Sequence, residues 1–86
     1  VRLERNISRD SKGKFAVINL RKNTVEWGEP NTREEFFVIK LKDKYARVAL
    51  EAYAAAAKFD DPEYAKDVAE LAARSGDKNP FCKRPD

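Results

Sequence analysis

Glu35 to Phe59, EFFVIKLKDKYARVALEAYAAAAKF, is the stretch whose reading decides the fold. Phe36, Phe37, Val38 and Ile39 are four consecutive β-favouring residues, and Phe37, Ile39 and Leu41 alternate with Val38, Lys40 and Lys42. Branched and aromatic side chains at period two predict a strand over 36–42. A competing signal sits just upstream. Thr32 and Glu35 have the spacing of a capping box, which would start one long helix there and carry it to Phe59. Residues 33–42 are therefore read as a strand, with the start of a long helix as the alternative.

From Asp43 onward the pattern changes to helical. Asp43 is a suitable N-cap. Tyr45, Val48, Ala49, Ala52, Tyr53, Ala56 and Phe59 then recur at three and four, which predicts one buried face of an amphipathic helix over 44–59. The alanines at 54–57 add helix propensity and permit close approach of a neighbour. Asp60-Asp61-Pro62 ends this helix and opens the next, with an acidic N-cap and proline at the first helical position. Tyr64, Ala65, Val68, Leu71 and Ala72 make its predicted inner face. Ser75-Gly76 is a stop signal, glycine being the usual residue after a helix. Two helices so closely linked predict an αα-hairpin over 43–76. The remainder, 77–86, reads as an irregular tail in which Phe81 tucks back onto the domain.

Upstream, Val1 to Ser8 has the partial alternation of an edge strand or an arm, and Arg9 to Gly13 has turn chemistry. Phe15 to Leu20 is apolar on both faces, which predicts an inner strand. Arg21 to Thr24 then makes a tight turn into a short strand, Val25 to Trp27, broken by Gly28 to Asn31. The expected fold is α+β: a small antiparallel sheet of three or four strands packed by a C-terminal helical hairpin. The 86 residues form a single expected domain with a basic sheet region at 1–42.

Charge is unevenly spread. Residues 1–24 hold seven basic and two acidic side chains, whereas the rest of the chain holds eleven and thirteen. In an N-terminal hairpin Arg5, Arg9, Lys12, Lys14, Arg21 and Lys22 would gather around two turns with Trp27 nearby, a pattern that suits an anionic partner. The competing reading is the ordinary protection of sheet edges by Lys and Arg.

Catalytic chemistry is sparse. The chain has no histidine and one cysteine, Cys82, so Ser/His and Cys/His pairs, zinc-ligand spacing and an intrachain disulfide are all missing. Gly13, Gly28 and Gly76 are too scattered to cradle a phosphate. No cofactor, metal or enzymatic activity is expected. No run approaches the roughly 18 apolar residues of a membrane span, so no membrane partner is expected either. A free cysteine fits a reducing, cytoplasmic setting.

A three-stranded sheet followed by a helix is similar in architecture to the sheet-reading DNA-binding domains of AP2 type and of some phage and transposon integrases. That similarity implies base reading from strands by Arg and Trp, here Arg21 and Trp27, with the second helix as an extra element. Across residues 27–86 the chain resembles the small accessory proteins of tailed bacteriophages, in WGEPNTREEFFVIKLKDKYA, in the DPEYAKDVAELA helix and in the NPFCKRPD ending. The resemblance implies a non-enzymatic factor that binds and modulates or inhibits a host macromolecule, such as a polymerase or a defence complex, inside the bacterial cell. It carries over no individual functional residue. Nucleic-acid binding by the basic hairpin is the alternative, and the alanine face of the first helix also fits a homodimer.

Overall fold

The structure, a computed structural model, describes residues 15–82. The chain divides into two compact units, one ending at Val38 and the other beginning at Ile39. Its content is α+β, with two antiparallel strands and two helices. The expected edge strand or arm over 1–8 and the turn over 9–13 lie outside the described residues.

In the first unit β1 (Val17–Asn19) pairs with β2 (Thr24–Glu26), Ile18 opposite Val25. Asn19 holds both sides of the connection: its Oδ1 accepts from the Lys22 N–H at 3.0 Å, and its Nδ2 donates to Glu26 at 3.1 Å. Asn23 closes the turn at φ 55°, a left-handed conformation that asparagine tolerates better than most residues. The hairpin expected from RKNT is thus present. The inner strand is not, because Val17, Ile18 and Val25 all stay exposed. The three or four strands expected reduce to two among the described residues.

The missing strand is 36–42, and the long helix fails with it: residues 35–40 are neither strand nor helix. The capping-box residues are engaged, but in a turn. Thr32 Oγ1 donates to the Glu29 carbonyl at 2.7 Å, and the Glu35 carboxylate accepts from the Asn31 N–H at 3.0 Å. Phe36 then lies directly against Gly28. A Cβ at Gly28 would stand 2.5 Å from the Phe36 ring, and Gly28 has φ 67°. Period-two hydrophobicity reports a preference for extended backbone; it does not supply the neighbouring edge that a ladder requires.

The second unit is an αα-hairpin of α1 (Ala46–Ala57) and α2 (Pro62–Ala73), followed by a 3-10 turn at Gly76–Lys78. The helix junction forms as the sequence predicts. Asp61 Oδ1 accepts from the Tyr64 N–H at 3.1 Å, and Pro62 occupies the first turn, where no N–H is needed. Asp43 acts earlier than expected: it accepts from the Tyr45 N–H at 2.8 Å within the preceding turn, and α1 begins after Tyr45 without a side-chain cap. At the other end the Gly76 N–H donates to the Leu41 carbonyl at 2.8 Å, tying the exit of α2 to the entry of α1. Ser75 is fully buried there, its hydroxyl donating to the Ala72 carbonyl at 2.9 Å.

The core of this hairpin is small. Ala46 and Ala54 from α1 meet Ala65, Val68 and Ala72 from α2. On α2, Ala65, Val68 and Ala72 of the predicted face are buried, Leu71 is half-buried and Tyr64 is exposed. On α1 the prediction is rotated: Tyr45, Val48, Tyr53 and Phe59, all expected inside, are exposed. Small side chains explain the choice. A helix face lined by alanine allows backbones to approach closely, whereas bulky residues at the contact would hold them apart. Phe81 is exposed rather than tucked in. Its N–H is held by Asn79 Oδ1 at 2.9 Å, so a local turn takes the place of docking.

Candidate binding surfaces

Of the sequence-predicted site residues, Arg5, Arg9, Lys12 and Lys14 lie outside the described residues. Arg21 and Lys22 are exposed on the β1–β2 turn. Trp27 follows β2 and is 46% exposed, so one part of its indole is supported and the rest is available for contact. Lys22 and Trp27 come together as walls of a cavity of about 340 Å³; Arg21 does not line it.

The other walls of that cavity change its character. Glu26, Glu29 and Glu34 join Lys22 around Trp27. They converge because Gly28 and Asn31, both at positive φ, fold the chain back after β2. Three carboxylates beside one lysine give Trp27 a net acidic setting, which disfavours a phosphate backbone. No continuous positive stripe flanks Trp27 among the described residues.

The helical hairpin carries a second aromatic feature. Tyr53 on α1 and Tyr64 on α2 stack edge to face, with centroids 6.2 Å apart and planes at 75°. Hydrogen bonding with the Tyr53 side chain, followed by electrostatic interaction with Tyr53, raises the Tyr64 pKa above the ordinary tyrosine value. Both rings remain open to solvent. Away from this pair, a groove of about 530 Å³ runs between the helices, floored by alanines and bordered by Glu51, Lys58 and Lys66.

Helical periodicity places both tyrosines on inner faces, although so small a core cannot enclose Phe36, Tyr45, Tyr53, Tyr64 and Phe81 together, and both are exposed. A usable signal was nonetheless present. Between Ala46 and Phe59 only Arg47, Glu51 and Lys58 are charged, whereas α2 carries Glu63, Lys66, Asp67 and Glu70, all exposed. A helix that is apolar around most of its circumference is one that expects neighbours on more than one side.

Among the described residues no cluster of three His, Cys, Asp or Glu side chains is placed to hold a metal ion. Cys82 is exposed and free. No described helix is long and apolar enough to cross a membrane. Compared with protein-family models, curated proteins and solved structures, the chain has no significant match.

Proposed function

We propose that this chain is a non-catalytic binding protein whose target is another protein. The observation that carries the reading is the display of bulky apolar side chains: Trp27, Tyr45, Val48, Tyr53, Phe59 and Tyr64 all face solvent, while the core of the helical hairpin is mostly alanine. Exposed apolar surface on this scale marks an interaction site, and Trp and Tyr are the residues that dominate protein interfaces. The resemblance to phage accessory proteins supplies the setting: a factor that binds and modulates or inhibits a host macromolecule in the bacterial cytoplasm.

A second reading, nucleic-acid binding by the basic N-terminal hairpin, rests on Arg21 and Lys22, both exposed on the strand turn. The carboxylates around Trp27 favour the protein target.

The test is capture from bacterial lysate with the intact chain as bait, with and without nuclease. The reading expects a discrete host protein that survives nuclease treatment and is retained several-fold less by Trp27→Ala or by Tyr53→Ala with Tyr64→Ala. Retention of nucleic acid alone, or of proteins lost on nuclease treatment, overturns it.

A further inference from the structure

At 100° per residue, α1 places Val48, Ala52 and Ala55 on one row, opposite its buried side at Ala46 and Ala54. Tyr45 precedes the row and Phe59 follows it, the right-handed conformation of Lys58 carrying the helical path to residue 59. Val48 is 66% exposed and Phe59 90%. The spacing 45, 48, 52, 55, 59 alternates three and four, as in the seam of a coiled coil. One flank of that row holds Glu51 and, seven residues on, Lys58. Both are exposed, and among the described residues neither forms an ion pair.

We infer that this row binds a second copy of the same chain, α1 against α1 in antiparallel orientation about a two-fold axis. The inference rests on the reading of the exposed apolar face as a binding surface, and adds the identity of one occupant. Three features single out a second copy. The row has bulky residues at its ends and alanines at its centre. An antiparallel partner then sets Ala52 against Ala55 of the partner subunit on both sides of the axis. The backbones come close there, and Val48 covers Phe59 of the partner subunit at each end. The flanking charges complete the match: in that register Glu51 lies beside Lys58 of the partner subunit, twice by symmetry. A parallel arrangement sets Glu51 beside alanine and leaves both charges unused. The alanine floor favours separation at the short end of the usual 8–10 Å between packed helices. The outer face of α2, with Glu63, Asp67 and Glu70, stays in water in the resulting bundle.

A seam of four helical turns is short, so the dimer dissociates on dilution. The experiment is sedimentation equilibrium of the intact chain from about 5 to about 500 μM, a range chosen to bracket weak association. The wild type is expected to pass from monomer to dimer. Phe59→Asp puts a charge into the seam at a solvent-exposed position, so it is expected to keep its helical circular dichroism and remain monomeric. Glu51→Lys makes both flanks basic and Lys58→Glu makes both acidic. Each alone is expected to weaken association roughly tenfold, and an equimolar mixture of the two to restore it, because only mixed pairs then carry opposite charges. A wild type that stays monomeric throughout overturns the self-association while leaving a heterologous protein target standing. A dimer indifferent to Phe59→Asp, or a mixture no tighter than its components, overturns the antiparallel seam.

Discussion

Tyr53 and Tyr64, on different helices, meet edge to face with ring centroids 6.2 Å apart, and interaction with the Tyr53 hydroxyl raises the Tyr64 pKa above the ordinary tyrosine value. Removing that hydroxyl with Tyr53→Phe is expected to let Tyr64 titrate at lower pH, as followed by the Cζ carbon resonance of Tyr64. The sign for stability follows. A folded pKa above the unfolded tyrosine value of about 10 gives stability that is present below that value and lost as pH rises through the folded pKa. Tyr53→Phe should therefore flatten the decline in stability on the alkaline side. An unchanged Tyr64 titration would mean that the phenols do not interact.

The cap at Asp61 is a separable contribution. Its carboxylate satisfies the Tyr64 N–H at the start of α2, a group with no partner within the helix. Asp61→Ala is expected to cost about 1 kcal/mol in urea unfolding, and Asp61→Asn much less. Equal losses for the two would assign the effect to charge rather than to the hydrogen bond.

Gly28 tests the other unit. Any side chain there meets the Phe36 ring and must also adopt φ 67°. Gly28→Ala is expected to destabilise the first unit by roughly 1–3 kcal/mol, seen as a shift in Trp27 fluorescence on denaturation. Adding Phe36→Ala should recover part of the loss, since it removes the collision but not the backbone strain. Purely additive losses would mean that ring and glycine are not in contact.

Residues 35–40 supply a test of backbone state. Val38→Pro removes an N–H that neither a helix nor a ladder uses, so the helical circular dichroism should be unchanged. Loss of most of that signal would restore the long helix running from Thr32.

Local chemistry was legible in the sequence where it is self-contained. Asp61-Pro62 and the turn between β1 and β2 are each fixed by residues a few positions apart, and each forms as read. What depends on distant partners was not legible. Phe36 to Lys42 has a strand-like pattern, yet Phe36 contacts Gly28 and the Glu35 carboxylate closes a turn onto Asn31, so no ladder forms. The face of α1 was misjudged for a related reason: periodicity weighs apolar bulk, whereas close packing with α2 selected the smaller residues Ala46 and Ala54. At the candidate site, Lys22 and Trp27 line one cavity. The carboxylates beside them were not foreseen, because their convergence depends on two left-handed residues, Gly28 and Asn31.

The placement of α1 is tested most directly by one pair of identical substitutions. Val48 on α1 is 66% exposed and Val68 on α2 is 5% exposed. Equilibrium urea denaturation of Val48→Ala and Val68→Ala would be compared in protein dilute enough to be monomeric. Val68→Ala is expected to lose about 1–3 kcal/mol, and Val48→Ala to stay within about 0.5 kcal/mol of the wild type. Equal and substantial losses at both positions would place Val48 inside the core and contradict the outward-facing row on α1.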